Sequence, residues 1–157
     1  MKSTLREIRE KLNFTQVDAA EYLGLSRRSY QSYENNPSYF QSKKYYYLLR
    51  ELEELYFNED KGILSIEEIT YLSRDIFRKY PVYYCYLFGS YAQGTASENS
   101  DVDLLISTEL TGLKFYSLVE ELRVALRKKV DALELHQVEG NLELLNEILK
   151  EGIKIYG

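Results

Sequence analysis

Apolar residues recur at helical spacing along the N-terminal part of the chain and predict three short helices within residues 1–36. A hydroxyl residue precedes each helix and can cap it; these are Thr4, Thr15 and Ser26. Ala20, Gly24 and Tyr30 stand where two helices joined by a tight turn need a small residue, a permissive turn residue and a core anchor. The pattern therefore predicts a compact all-α unit.

A longer helix is predicted over about residues 42–57, where apolar or aromatic side chains again fall at helical spacing. These side chains are Tyr45, Leu48, Leu49, Leu52, Leu55 and Tyr56. Residues 58–62 then read Asn-Glu-Asp-Lys-Gly, a polar stretch ending in glycine that is typical of a linker. We therefore predict one domain over residues 1–60, closed by this covering helix, and a second domain over residues 61–157.

Helix and strand patterns alternate in the second domain, which predicts an α/β (α+β) architecture. The predicted order is a helix opened by a Ser65–Glu68 capping box, strands over 82–88 and 101–107, a helix over about 113–129, a strand over 130–135, and a closing helix and short strand over 141–156. The basic residues 127–129 are expected to complement the C-terminal dipole of the helix that they end.

Composition and charge narrow the class of protein. With 157 residues, 45% of them apolar, the chain can bury a core in one or two domains. No apolar run approaches the length that crosses a membrane, and the N-terminus lacks a signal-peptide pattern, so we expect a cytoplasmic protein without a membrane partner. The net charge of −5 argues against broad, charge-driven binding of nucleic acid but leaves room for a local basic face.

Two residues of reactive type are expected to be structural. Cys85, the only cysteine, lies within the strand predicted over 82–88 and should be inert packing. His136, the only histidine, follows the strand predicted over 130–135, where a hydrogen-bonded structural role is the commoner one.

Candidate chemistry is densest at the end of the first predicted strand. The strand stops at Gly89-Ser90, where backbone N–H groups and the serine hydroxyl could bind a phosphate. Asp101 and Asp103 follow, and as alternate residues of a strand they would point the same way, with Cα atoms roughly 7 Å apart. Such a carboxylate pair favours a bound cation, and its hard oxygen ligands favour Mg²⁺. The alternative is a turn with both aspartates as solvated caps.

The stretch FGSYAQGTASENSDVDLLI, residues 88–106, resembles the signature of the DNA polymerase beta-type nucleotidyltransferase superfamily, especially its minimal nucleotidyltransferase (MNT) branch. The resemblance implies a small mixed sheet with helices behind it, nucleotide binding by Gly89 and Ser90, and catalytic, Mg²⁺-binding roles for Asp101 and Asp103. ATP is the implied substrate.

A third carboxylate is also implied by the resemblance, and Asp131 matches its position. Glu134 is the fallback candidate, and by spacing alone Asp131 could equally be a strand-end acid paired with a nearby lysine or arginine. Gln93 is a departure from the family pattern, because members often carry arginine there. Contacts with phosphate or acceptor near that turn are therefore an open question.

The N-terminal stretch TQVDAAEYLGLSRRSYQSYENN resembles the Cro/phage-repressor type of helix-turn-helix. The resemblance implies that Arg27, Arg28 and Ser32 of the third helix face DNA bases in the major groove and that Gln16 contacts a phosphate. The alternative is a helical packing module whose two arginines form a solvated face. Operators read by this motif usually need two copies, so a homo-oligomer or a larger assembly is expected.

MNT proteins are commonly antitoxins paired with HEPN ribonuclease toxins, and some add AMP to a tyrosine of the toxin. The resemblance therefore implies an adenylyltransferase antitoxin that transfers AMP from ATP to a partner hydroxyl, with tyrosine the expected residue, and that binds operator DNA. It could form a hetero-oligomer with the toxin. The alternatives are a catalytically silent repressor or antitoxin that acts by contact, and a small-molecule nucleotidyltransferase of the aminoglycoside type.

Overall fold

The computed structural model describes residues 3–157, and its tertiary contacts divide the chain into two compact units, Met1–Asn58 and Glu59–Gly157. The division falls within the predicted linker, two residues before the domain boundary that we placed after residue 60. Within the described residues, no helix combines the length and the apolar character that crossing a membrane requires.

The first unit is entirely helical. Its helices are α1 (Leu5–Lys11), α2 (Gln16–Tyr22), α3 (Arg27–Asn35) and α4 (Lys43–Tyr56), with a single 3₁₀ turn at Pro37–Tyr39 before α4. At the start of each of these α-helices a hydroxyl side chain accepts a hydrogen bond from a backbone N–H three residues later; the accepting side chains are those of Thr4, Thr15, Ser26 and Ser42. The capping predictions are confirmed, and the 3₁₀ turn was not anticipated.

The core of the first unit is built from the inward faces of α1, α2, α3 and α4. Its fully or nearly buried members are Leu5, Ile8, Ala19, Ala20, Tyr30, Tyr45, Leu48, Leu49 and Leu52. Tyr30 is the central anchor, as the pattern predicts. Gly24 adopts a positive φ of 69° in the α2–α3 turn, a conformation that glycine adopts without steric penalty.

A buried carboxylate, Glu34 on α3, ties three helices together. Arg9 donates two hydrogen bonds to it, at 2.8 and 2.9 Å, and Arg6 donates a third at 3.3 Å. Burial alone would raise the pKa of Glu34, but the hydrogen bonds from Arg9 and from Gln16 outweigh it and lower the pKa to about 2. Sequence patterns did not identify this network, because it joins residues far apart in the chain.

The second unit combines helices with one sheet. Its elements are α5 (Ile66–Lys79), β1 (Val82–Phe88), α6 (Gly89–Gln93), β2 (Val102–Thr108), α7 (Gly112–Leu126), β3 (Val130–Glu134), α8 (Leu135–Val138), α9 (Leu142–Glu151) and β4 (Ile153–Tyr156). The strand order is β3-β2-β1-β4. Because β1 is antiparallel to β2 and β4 while β2 is parallel to β3, the predicted small mixed sheet is confirmed.

The two faces of this sheet are covered by different helices. On one face the ring of Phe77 in α5 lies 5.1 Å from that of Tyr156 in β4. On the other face Phe88 and Leu105 form an apolar cluster with residues of α8 and α9. Asp103 and Leu105 are two residues apart in β2, so their side chains lie on the same face of the sheet. The Asp103 carboxylate therefore lies on the face that α8 and α9 only partly cover.

Two local expectations were wrong. The second strand begins at Val102, so Asp101 precedes it and is exposed rather than being its first residue. The helix before β3 ends at Leu126 and not near Lys129. The prediction that Lys128 complements the C-terminal dipole of this helix was also wrong. Lys128 is instead fully buried, and its ammonium donates to the carbonyl oxygens of Lys61 and Glu98.

Candidate active site

Gly89 forms the turn at the end of β1, in a conformation that strains any residue with a side chain. Its φ is +68°, and a Cβ atom built on it would collide with Oδ2 of Asp103 and lie 3.0 Å from Cγ. The backbone of the turn therefore lies directly against a carboxylate of the neighbouring strand. Ser90 follows in α6, whose first turn has no side-chain cap among the described residues. Backbone N–H groups at the start of a helix are available to bind a phosphate, and this start lies beside Asp103.

Asp131 is brought beside Asp103 by the parallel pairing of β2 and β3. The two residues are register partners, so their side chains leave the same face of the sheet. Asp101, just before β2, is close enough for its charge to affect Asp103. The structure therefore groups the three aspartates, although they come from two segments of the chain.

The electrostatics of this group centre on Asp103. Partial burial, followed by the negative charges of Asp131, Asp101 and Glu147, raises the pKa of Asp103 to about 6. Ionisation of Asp103 is thus less favourable than that of an ordinary aspartate. A proton or a cation would relieve the repulsion.

The donor chemistry of Asp103 and Asp131 fits Mg²⁺, which prefers hard oxygen ligands and commonly retains water and substrate phosphate oxygens as well. Among residues 3–157, however, no three carboxylate, imidazole or thiol groups converge into a ready metal-binding cluster. The predicted metal roles of Asp101, Asp103 and Asp131 stay predictions.

Gln93, at the end of α6, is engaged by α9. Its side-chain amide donates to Glu151 at 2.7 Å and to Glu147 at 3.5 Å. The neutral amide thus meets two carboxylates at the turn where relatives often carry arginine. The sequence identified Gln93 as a departure but could not identify these partners, because Glu147 and Glu151 lie 54 and 58 residues further along the chain.

An open cavity of about 420 Å³ lies along β3, on the other side of Asp131 from β2. Its lining is Thr111, Gly112, Phe115, Tyr116, Val119, Val130, Asp131, Ala132, Glu134 and Gln137. Glu134, the fallback candidate for the third carboxylate, also lines this cavity. Its backbone N–H donates a hydrogen bond to the side chain of Gln137. Sequence patterns missed the aromatic wall, since Phe115 and Tyr116 looked like ordinary helix residues.

The remaining reactive residues lie outside the aspartate group. His136 is exposed, with Nδ1 3.2 Å from a carboxylate oxygen of Glu139 and Nε2 3.7 Å from one of Glu134. Cys85 is fully buried in β1, and burial raises its thiol pKa, as expected for an inert packing residue.

The residues predicted to contact DNA are found on α3 and α2 of the first unit. Arg27, Arg28 and Ser32 are exposed on α3, and the Ser32 hydroxyl donates to the Arg28 carbonyl at 3.1 Å. Gln16 is half-buried; it donates to Glu34 at 3.2 Å and accepts from Gln31 at 2.8 Å. A role for Gln16 in contacting phosphate therefore competes with an internal one.

Comparison with known families agrees with this site. Residues 72–157 match the family described as Polymerase beta, Nucleotidyltransferase, and residues 5–40 match a Helix-turn-helix family. The chain therefore belongs to the polymerase beta-type nucleotidyltransferase family and carries a helix-turn-helix region ahead of that domain.

One curated relative matches part of the chain. The chain is 34% identical over 74 residues to the protein adenylyltransferase MntA of Shewanella oneidensis, a match that covers 46% of this chain and 52% of the relative. The chain thus matches about half the length of that curated relative.

Solved structures also resemble the chain. A toxin–antitoxin complex with AMP-PNP is 30% identical, covering 60% of this chain and 74% of the other with a TM-score of 0.48. A tri-AMPylated Shewanella oneidensis HEPN toxin in complex with its MNT antitoxin is 24% identical, covering 59% and 69% with a TM-score of 0.41.

Proposed function

We propose that this protein is a Mg²⁺-dependent protein adenylyltransferase of antitoxin type, which transfers AMP from ATP to a tyrosine hydroxyl of a HEPN-type toxin. The strongest support is the contact of Asp103 with Gly89 on one side and its pairing with Asp131 on the other. A phosphate-binding turn and an acidic pair at one sheet edge suit transfer of a nucleotidyl group. Family membership and the activity named for the MntA relative support the same reaction.

Different residues of the chain bind the phosphates, the metal ion and the acceptor hydroxyl in this reaction. The N–H groups of the Gly89-Ser90 turn and the Ser90 hydroxyl hold the β and γ phosphates of ATP. Asp101, Asp103 and Asp131 would hold Mg²⁺, which would offset negative charge on the phosphates and on the entering and leaving oxygens. Asp131 also accepts a hydrogen bond from the acceptor hydroxyl, orients its oxygen toward the α-phosphorus and takes up its proton as that oxygen attacks. The new P–O bond forms as the bond to pyrophosphate breaks, so pyrophosphate leaves on the side of Gly89.

The N-terminal domain, residues 1–60, would bind operator DNA and repress the protein's own operon, while residues 61–157 carry the transferase. Arg27, Arg28 and Ser32 are exposed together on α3, as direct reading of bases in the major groove requires. Because one such unit binds weakly, the active repressor is a homo-oligomer or a hetero-oligomer with the toxin. Such a system would act in the cytoplasm.

A second candidate is an antitoxin that silences its partner by contact, without transfer. The contact of Gln93 with Glu151 favours it, because the turn lacks the cation that relatives often place there. Transfer to a small molecule is the third candidate, and it predicts turnover without any protein acceptor.

The deciding experiment is intact-mass measurement of the adjacent gene's product after incubation with this protein, ATP and Mg²⁺. We expect a gain of one or more AMP units, abolished by the double variant Asp101→Ala/Asp103→Ala. No gain with a stable, silenced complex would select the contact mechanism instead. Pyrophosphate release without the partner would select the small-molecule reaction.

A further inference from the structure

The β3 strand has a free edge. It is the outermost strand of the sheet, with β2 on its only paired side among the described residues. The N–H of Val102 donates to the carbonyl of Lys129 at 2.9 Å, and Val102 is the register partner of Val130. In a parallel pair, alternate residues turn their backbone groups toward the partner strand. The N–H and C=O groups of Val130 and Ala132 therefore point away from β2.

The two residues that carry these outward groups lie beside the cavity along β3. Val130 and Ala132 line it on the strand side, and Phe115, Tyr116 and Val119 of α7 line it on the other. A groove between a free strand edge and a helix is the geometry in which domains bind an extended peptide as an added strand. Backbone hydrogen bonds supply the pairing, and the helix supplies pockets for alternate side chains.

The charge of the groove restricts its occupant. Among the described lining residues, the charged side chains are the carboxylates of Asp131 and Glu134. A segment carrying lysine or arginine near its reactive residue would complement Glu134, and also Asp131 when no Mg²⁺ is bound, whereas an acidic segment would be repelled. The aromatic wall adds a flat apolar surface, 66% of Tyr116 being exposed.

The side from which an acceptor must approach the α-phosphorus agrees with the position of the groove beside β3. Gly89 lies at the end of β1, Asp103 on β2 and Asp131 on β3, so the three follow one another across the sheet. If pyrophosphate leaves beside Gly89, an in-line acceptor must approach from the opposite side, which is the side of β3 and the groove.

We propose that an extended, basic segment of the protein acceptor pairs with the free edge of β3 and occupies this groove, which brings its hydroxyl residue beside Asp131. This inference rests on the proposed transfer reaction and names the docking surface of its acceptor. The partner is recognised through its backbone and its charge.

The first test uses short synthetic peptides that span the adjacent gene's product, with binding to the full-length protein measured by fluorescence anisotropy without nucleotide. We expect the tightest peptide to contain the modified residue and to shift the amide resonances of Val130 and Ala132. N-methylation of its alternate amides should weaken binding roughly tenfold or more, because the edge loses its hydrogen bonds. Equal binding of the methylated peptide, or no binding peptide, would overturn the proposal.

Variants give a second test that does not depend on the peptide. Tyr116→Ser should weaken binding of the partner and of the peptide by about tenfold, the loss expected for one aromatic contact. Tyr71→Ser on α5 is the matched control, because Tyr71 is similarly exposed, at 61%, and lies outside the groove lining. Ala132→Pro removes an outward N–H while the inward pairing of β3 is retained, and it should have a comparable effect. Tyr116→Ser and Tyr71→Ser variants that bind equally well would contradict the proposal.

The same mixtures separate this inference from the transfer reaction itself. If wild-type protein transfers AMP and the Tyr116→Ser and Ala132→Pro variants transfer it equally fast at subsaturating partner, the groove is not the acceptor site and the reaction stands. If wild-type protein transfers no AMP but the peptide still binds at β3 in the manner expected, the reaction fails while the docking surface stands.

Discussion

Asp103, the centre of the candidate site, opposes folding when it is ionised. Its pKa of about 6 lies above the ordinary value of 3.8, so the folded chain binds a proton more tightly than the unfolded chain does. The sign follows by linkage: stability falls as pH rises from about 4 to about 6 and stays lower above that range. Its ionised carboxylate therefore lowers the stability of the folded chain at neutral pH.

We expect Asp103→Asn to raise the free energy of unfolding at pH 7, in buffer without divalent cations, by about 1–2 kcal/mol, and to abolish AMP transfer. Urea unfolding at pH 7 and at pH 4 measures this, and the gain should nearly disappear at the lower pH. Asp75→Asn on α5 is the control and should leave the gain absent, because Asp75 is exposed and is not among the charges that act on Asp103. A variant that is less stable than wild type at pH 7 would contradict the electrostatic account.

Gly89 and Gly94 provide a matched pair for testing the turn. Both have positive φ, 68° and 75°, but an added Cβ collides with Asp103 at Gly89 and meets nothing within 4 Å at Gly94. We expect Gly94→Ala to destabilise the protein by about 1 kcal/mol from backbone strain alone, and Gly89→Ala by at least twice that. Isothermal calorimetry should show that only Gly89→Ala loses ATP binding. Equal effects of the two variants would mean that the contact with Asp103 is unimportant.

Helix α3 depends on the ion pairs of its one buried acid. Because the folded pKa of Glu34, about 2, lies below its ordinary 4.5, its contribution is fully present above about pH 4.5 and is lost as pH falls toward 2. We expect Glu34→Gln to destabilise the first unit by roughly 3 kcal/mol at pH 7, since it leaves Arg9 without its charged partner. Hydrogen exchange of α3 amides reports the loss.

The control for that variant is Glu54→Gln, which removes an exposed pair with Arg50 on α4. Exposed pairs contribute little, so exchange in α3 should not change. Similar protection of α3 in the Glu34→Gln variant and in wild type would show that the buried network is dispensable.

The exposed face of α3 predicts how the protein binds DNA. Replacement of Arg27 or Arg28 by alanine should weaken binding to the promoter DNA of its own gene by about 1–3 kcal/mol if the arginine reads a base, or lower the salt dependence by about one ion if it contacts a phosphate. Electrophoretic shift titrations at several salt concentrations distinguish these outcomes. Arg50→Ala, on α4, should have no effect, and equal losses for all three variants would indicate a non-specific charge effect.

Lys128 joins distant parts of the second unit. Its buried ammonium is bound by the carbonyls of Lys61, before α5, and Glu98, in the segment that leads to Asp101, and burial lowers its pKa. Lys128 also lies just ahead of β3, which carries Asp131. One side chain thus connects both segments that contribute aspartates to the site.

We expect Lys128→Met to lower the free energy of unfolding by about 2–4 kcal/mol, because two carbonyls lose a charged donor, and to speed hydrogen exchange over residues 95–100. Lys129→Met is the control, since Lys129 is the exposed neighbour. Unchanged exchange over residues 95–100 would show that these bonds do not order the segment.

The bounds of most helices and strands follow from short-range patterns. Thr4, Thr15, Ser26 and Ser65 cap helices where the sequence predicts caps, and β1 has the predicted bounds, because caps and side-chain alternation depend on residues only a few positions apart. The spacing of Gly89, Ser90, Asp101 and Asp103 likewise predicted the family, which is confirmed, and the candidate site, which stays a prediction.

Long-range pairing decided the rest. Strand order alone makes Asp131 the neighbour of Asp103 and leaves β3 with a free edge beside Tyr116. The burial of Lys128 and Glu34 likewise depends on partners thirty or more and twenty-five positions away. Periodicity and capping are local properties of a sequence, whereas these contacts form only when separate elements pack, so they became visible only in the folded chain.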